Sequence, residues 1–312
     1  MAEWLYEAGI GETRAALVKD GRIVDARIER EGTGPLVGTI AEARIVEQIV
    51  PRLSARVLLT GGGEAILDNP PPGISEGRAF LVQIVREAIA EPNRAKLPKA
   101  LPAPDGSAPE AGPDLLTRIA ATGHPIRHLQ AHEPDALEAA GWSEVLEEAH
   151  TGEIAFDGGA LRLSLTPAMT LFDVDGSLPP SELAVAAAEA VCAAIFRLSI
   201  GGSIGIDFPT LPDRPSRRKV DELIDSCLPQ PFERTAINGF GFLQIVRRRY
   251  RPSLPEILRF DPIGAGLRAK LRIAERNPAA PLGLTAAERN RFEKNPAWRT
   301  ALERRTGRAV TE

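Results

Sequence analysis

Two stretches decide how this chain is read: Ala168-Met169-Thr170-Leu171-Phe172-Asp173-Val174-Asp175-Gly176, and further on Gly201-Gly202-Ser203-Ile204-Gly205-Ile206-Asp207-Phe208-Pro209. Each is an apolar run that ends in acid. On a strand, alternate residues share a face. Leu171, Asp173 and Asp175 therefore point one way, and Phe172 and Val174 point into packing on the other. In the second run Ile204, Ile206 and Phe208 share a face; Gly205 and Asp207 take the opposite one, with open space expected over Gly205. Residues 181–199, between the runs, form a helix with Ser181 as its expected cap and Glu182 in its first turn. Its alanines and leucines leave little polar face, so it is expected to be buried. A helix of this length can carry the chain back over a sheet for a parallel pairing. Asp173 and Asp207 would then end on one edge of one sheet. Side-by-side carboxylates repel unless a proton or cation compensates, and a hard ion such as Mg²⁺ or Ca²⁺ takes oxygen ligands of this kind. The plainer alternative is that these acids only cap strand ends and face water.

Outward from this centre, residues 14–30 carry two apolar stretches around Asp20-Gly21, a hairpin signal. Strand candidates follow at 37–49, 55–60, 64–67 and 79–86, with Gly61-Gly62-Gly63 as a tight turn. Short, regularly spaced strands predict a small β-barrel. Residues 98–113, with Pro98, Pro102, Pro104, Pro109 and Pro113, read as a linker. From 115 to 258 the pattern is mixed α/β: a helix over 134–149, a hairpin around Asp157-Gly158-Gly159, a helix over 216–227 and a strand over 235–249. Strands alternating with crossover helices mean a central sheet covered by helices. From about 262 the chain is helical and basic, with one or two amphipathic helices over 283–306.

The 312 residues are 43% apolar and 26% charged, an ordinary globular balance, with a net charge of −4. That total does not advertise a nucleic-acid binder. The charge is uneven, however: Arg247, Arg248, Arg249 and Arg251 cluster, and 268–308 is rich in arginine. Local positive surface is what such binding needs. No apolar run approaches the roughly 18 residues of a membrane span, and the N-terminus does not read as a signal peptide. Cys192 and Cys227 form no CxxC motif and read as reduced core thiols. These features predict a cytoplasmic location. His124, His128, His132 and His150 read as surface histidines. Neither a Walker-type phosphate loop nor a nucleophile-elbow signature is present.

Residues 152–254 resemble the catalytic core of the ribonuclease E/G family. The order is similar: a Gly158-Gly159 hairpin, the Asp173-Val174-Asp175 strand, a long alanine-rich helix, Gly201-Gly202, then Ile206-Asp207-Phe208. The stretch Phe240-Gly241-Phe242-Leu243-Gln244 and the basic run ending in Pro252-Ser253-Leu254 resemble the segment that closes the family core. The resemblance implies an RNase H-like sheet whose two acids, here Asp173 and Asp207, coordinate a catalytic Mg²⁺. It implies a Mg²⁺-dependent endoribonuclease that hydrolyses single-stranded RNA and leaves 5′-phosphate and 3′-hydroxyl ends. Asp175 takes a secondary catalytic role in this reading. Ala16-Leu17-Val18, Asp20-Gly21-Arg22 and Glu76-Gly77-Arg78 are similar to the family's OB-type RNA-binding domain. Arg94, Lys96 and Lys99 resemble its basic patch. With Arg247, Arg249 and Arg251, which would alternate outward along a continuing strand, they are the expected RNA-binding residues.

The implied organisation is an OB-type RNA-binding β-domain with leading strands over 1–97, a linker over 98–113, an RNase H-like catalytic domain over 114–260 and a basic segment over 261–312. Four departures stand out. Asp175 replaces the family's usual Asn, and Gly61-Gly62-Gly63-Glu64 replaces an aromatic-bearing loop. The segment between Ala100 and Gly152 is too short for the domain that senses an RNA 5′ monophosphate. The CxxC zinc link is absent, so a monomer or simple dimer is expected rather than a zinc-linked tetramer. Two rivals remain open: a non-cleaving RNA-binding protein on the same scaffold, and an actin-like ATPase, which would need paired phosphate loops in duplicated halves.

Overall fold

The computed structural model describes residues 1–74, 77–91 and 95–309. Glu76 and Arg94, two residues of the expected RNA-binding part, lie outside the described residues. The chain opens with β1 (Glu3–Ala8), β2 (Glu12–Lys19) and β3 (Arg22–Arg30). Asp20 and Gly21 join the last two with φ of 52° and 76°, as an Asp-Gly hairpin turn requires.

Five strands follow: β4 (Ile40–Val50), β5 (Ser54–Leu59), β6 (Glu64–Asp68), β7 (Ala79–Arg86) and β8 (Lys99–Pro102). They close into a barrel in the order β4-β5-β6-β8-β7. Alternate residues such as Ala43, Ile45, Val57, Leu67, Val82 and Ile84 fill it. Gly61, Gly62 and Gly63 all have positive φ at the β5–β6 turn, a conformation that glycine adopts without a Cβ clash. The stretch expected as a linker is instead part of this unit. Pro98 precedes β8, and Pro102 is its last residue, opposite Val82; Lys99 and Ala100 pair with Ile66 and Leu67. Glu110 bridges to Ile40.

After α1 (Leu115–Ala120), β9 (Ile126–His128) pairs in parallel with β1, giving a sheet β3-β2-β1-β9. The expected helix over 134–149 is two helices, α2 (Ala136–Ala139) and α3 (Trp142–Thr151), broken at Gly141 with φ 94°. Then come β10 (Glu153–Phe156), β11 (Gly159–Leu165), β12 (Thr170–Gly176), α4 (Pro180–Arg197), β13 (Gly202–Asp207), α5 (Arg214–Cys227), β14 (Phe232–Arg234) and β15 (Phe242–Arg247). They build a second sheet in the order β10-β11-β12-β13-β15-β14. Its order places the crossover α4 between two adjacent parallel strands, as expected. Ser181 is not the cap of α4: the helix starts at Pro180 after Pro179, and the Ser181 hydroxyl meets that of Ser216 at 3.3 Å. The expected strand over 235–249 is shorter, because a turn at 238–241 precedes it and pairing stops at Arg247.

The chain ends in α6 (Leu254–Arg259), α7 (Pro262–Arg276), α8 (Ala286–Glu293) and α9 (Pro296–Thr306). Contacts divide the molecule into one unit of residues 1–28, 124–249 and 253–312 and another of 29–123 and 250–252. The expected boundary near 97 therefore moves. β1 to β3 belong mainly with the helix-bearing unit, because β1 pairs with β9 rather than with the barrel. No helix among the described residues is long and apolar enough to cross a membrane.

Several arginines of the C-terminal segment are engaged inside their own unit. Glu7, 7% exposed, accepts from Arg14 at 2.6 Å, Arg272 at 2.8 Å and Arg276 at 3.2 Å. Asp135 takes the same Arg272 at 2.7 Å, and Asp261 holds Arg291 at 2.5 Å and Arg268 at 3.4 Å. Removing one partner of a buried ion pair strands the others without compensation. Glu7→Ala is expected to cost about 3–5 kcal/mol, read as a lowered denaturation midpoint. Burial disfavours the charged form of Asp135 and Asp261. At Asp135 the Glu138 N–H and Arg272 outweigh it; at Asp261 the Arg291 and Arg268 guanidinium groups do. Both carboxyls titrate below the usual 3.8. A depressed folded value stabilises fully above the unfolded one and is lost as pH falls through the folded one. Denaturation midpoints measured against pH are expected to fall progressively below about pH 4, with a shallower fall in Asp135→Asn.

Candidate functional site

Phe172, Val174, Ile204 and Ile206 are buried and belong to the core that includes Ala184, Ala187, Val191 and Ile195 of α4. Strand alternation then sends the intervening residues to the other face of the sheet, which is the more exposed one. On that face Asp173 of β12 pairs in register with Asp207, the last residue of β13; the parallel pairing ends at these two acids, and β12 runs on to Gly176. Adjacent strands lie roughly 4.8 Å apart, so the two carboxylates are immediate neighbours. Neither makes a hydrogen bond or ion pair among the described residues. Like charges directly opposite each other are destabilising, so the arrangement works against stability.

The row extends across the sheet. Arg162 of β11 is opposite Asp173, and Glu153 of β10 is opposite Arg162; Phe242 of β15 is opposite Asp207. The Arg162 guanidinium stands 3.3 Å from Asp175 and 3.4 Å from Glu153. These side chains are more than half exposed, so such pairs contribute little to stability. Asp175 lies two residues beyond Asp173 on the same face, paired with Ala160. Arg162 and Phe242 were missed in the sequence, because neither residue carries a mark of its strand register.

The space over Gly205 is not open. A Cβ there would stand 2.8 Å from the Phe242 ring and 2.9 Å from Met169 Sδ. Glycine lets the ring come this close to β13, on the strand position opposite Asp207.

The expected RNA-binding cations are placed differently from expectation. Arg247 lies on the same face as buried Leu243 and Ile245, opposite to Asp207. It donates to the Ile200 carbonyl at 3.3 Å, and burial pulls its pKa down. Arg249 is ion-paired with Glu256, and Arg251 with Glu87 at 2.9 Å. The three do not alternate outward, because the strand ends at Arg247. In the barrel unit Lys96 pairs with Glu91, and Lys99 with Asp68 at 2.6 Å. Cations without an ion pair among the described residues include Arg214 and Lys219 at the start of α5, and Arg248.

His124, His128, His132 and His150 are all exposed. Cys192 is buried and Cys227 exposed, so only the first is the expected core thiol; burial pushes its pKa up to about 12. Among the described residues no group of three His, Cys, Asp or Glu side chains is placed to hold a metal ion. The donor set at the strand ends is thus two neighbouring carboxylates. That is too few for a closed zinc site, and it suits Mg²⁺, which binds through one or two carboxylates and keeps its waters. A glycine turn that sequence reading passed over, Gly9-Ile10-Gly11 between β1 and β2, is buried. A Cβ on Gly11 would stand 2.7 Å from the Trp298 ring, so this turn has no room for a phosphate.

No family model matches the chain, and no curated protein matches it.

The pairing generates a stability test. Asp173→Asn or Asp207→Asn removes a like-charge neighbour, and each is expected to raise stability in EDTA by about 0.2–1 kcal/mol. Millimolar Mg²⁺ is expected to raise the melting temperature of the wild type and not that of either variant, as read by scanning calorimetry.

Proposed function

We propose that this chain is a Mg²⁺-dependent endoribonuclease acting on single-stranded RNA, with an RNase H-like catalytic sheet and an OB-type barrel, of the ribonuclease E/G kind. The observation that carries the reading is the in-register meeting of Asp173 and Asp207, unpartnered, where the parallel pairing of β12 with β13 ends. In open α/β sheets, ligands bind outside the carboxyl ends of the strands. Support also comes from the chain order, in which a five-stranded barrel falls between β3 and β9 of the other unit, and from the resemblance over residues 152–254.

Asp173 and Asp207 would hold the Mg²⁺ ion. When bound, such an ion neutralises charge on a phosphate and acidifies water. The chain's own residues supply the rest. The exposed face leaves room for a strand of RNA, and Arg162 offers a guanidinium opposite Asp173 for a phosphate oxygen. Asp175 tethers that guanidinium and sits at the rim rather than in the pair, a secondary position. In the proposed reaction, water adds to phosphorus and the bond to the 3′ oxygen breaks, giving a 5′-phosphate and a 3′-hydroxyl. Phe172, Ile204 and Ile206 hold the two carboxylates in place from the opposite face.

The test is cleavage of an end-labelled single-stranded RNA with Mg²⁺ and with EDTA. The wild type is expected to cut only with Mg²⁺. Loss of groups that merely orient metal ligands costs about 10–100-fold, so Asp173→Asn and Asp207→Asn are each expected to lose roughly 100-fold or more. Asp175→Asn is expected to lose far less. Cutting that survives either of the first two changes would defeat the assignment. Binding of RNA by the wild type without any cutting would identify a non-cleaving RNA-binding protein instead.

A further inference from the structure

Among the described residues, Phe240 is, apart from Met1, the most exposed large apolar side chain, at 85%. Phe242, two residues on, is packed over Gly205, yet the Phe240 ring is left to solvent. Its backbone is not loose. The Asn238 side-chain carbonyl accepts from the N–H of Phe240 at 2.9 Å and of Phe242 at 3.0 Å. Gly241 N–H closes the turn onto the Asn238 carbonyl at 3.2 Å, and the Gly241 carbonyl accepts from Phe208 N–H at 3.1 Å. Gly241 has φ 95°, and a Cβ there would stand 2.2 Å from the Phe208 carbonyl oxygen, so only glycine lets the turn sit this close. On its other side the turn is moored to α5, where Asp221 accepts from Ile237 N–H at 3.1 Å. A bare ring is thus held by a fixed turn against Phe208, the residue that follows Asp207. Arg214 and Lys219, without ion pairs among the described residues, lie on the first turns of that same α5, which has no acidic residue in its first turn.

We propose that Phe240 is a stacking platform for an unpaired base of single-stranded RNA. It would seat the nucleotide next to the phosphate that lies at Asp173 and Asp207, with Arg214 and Lys219 following the backbone. This rests on the nuclease reading for what lies at the acids, and on its own geometry for the base. Every base has a π-face, so the platform tolerates any sequence. A rigid turn keeps the ring from losing freedom on binding. An exposed ring has no core to support, which separates its role from that of Phe242.

The experiment is binding of the full chain to a fluorescein-labelled single-stranded oligoribonucleotide in EDTA, by anisotropy, for wild type, Phe240→Ala and Phe240→Trp. Phe240→Ala is expected to melt at the wild-type temperature and to bind about 5- to 100-fold more weakly, with the dependence on salt unchanged because no phosphate contact is lost. Phe240→Trp is expected to restore binding. A 2-aminopurine in the oligonucleotide is expected to be quenched by wild type and by Phe240→Trp, and not by Phe240→Ala. The inference is overturned if the wild type does not bind the oligonucleotide, or if Phe240→Ala binds and quenches like the wild type. Because the assay runs without Mg²⁺, it is separate from cleavage. Weakened binding in Phe240→Ala with no cutting by wild type keeps the platform and removes the nuclease. Unchanged binding with cutting lost in Asp207→Asn does the reverse.

Discussion

The rest of the account depends on the parallel pairing of β12 with β13, which puts two negative charges side by side. That register is set from the opposite face. Phe172, Ile204 and Ile206 are buried, and a slip of one residue would turn every side chain of a strand over. Asp173 or Asp207 would then enter the core, at a cost of several kcal/mol for an unpaired ion. Apolar packing beneath α4 is large enough to decide the register, whereas repulsion between the two acids is of order 1 kcal/mol or less. The sheet can therefore tolerate a local electrostatic penalty on its open face, and such penalties are common at functional sites.

Charge elsewhere is largely settled internally. The chain has 38 Lys and Arg against 42 Asp and Glu. Glu7, Glu12, Asp135 and Asp261 absorb Arg14, Arg268, Arg272, Arg276 and Arg291. The C-terminal helices thus use arginine to attach to β1, β2 and α2. Arg249 and Arg251 are likewise engaged. Among the described residues, the proposed RNA contacts are Arg162 opposite Asp173, Arg214 and Lys219 of α5, and the exposed Phe240 ring. An RNA held in the proposed way would gain more from stacking and from a divalent ion than from a broad basic patch. A weak salt dependence goes with that arrangement.

The central geometry was legible because it follows from rules that act locally: period-two alternation in 168–176 and 201–209, a buried alanine-rich helix of the right length between them, and glycine stops. The hairpin at Asp20-Gly21 and the triple-glycine turn were legible for the same reason. What was missed is tertiary. Nothing local says that β1 will find β9 across a barrel's worth of chain. Pro98 and Pro102 looked like linker residues because the four-residue strand that Pro98 precedes and Pro102 ends gives too short a pattern to read. Arg247 looked exposed because alternation assigns faces only relative to a strand end, and the strand stops there. Glu7 neutralises Arg272 and Arg276 from 265 and 269 residues away, beyond any spacing rule. Phe240 differs from Phe242 only by a turn that Asn238 and Gly241 create together.

The most direct measurement is the position of Mn²⁺, a stand-in that shares the oxygen preference of Mg²⁺, located by its anomalous scattering in crystals of the whole chain. The account predicts one peak within coordination distance, roughly 2.0–2.3 Å, of a carboxylate oxygen from both Asp173 and Asp207. A peak bound elsewhere, one held by a single member of the pair, or no peak at saturating Mn²⁺ would contradict it.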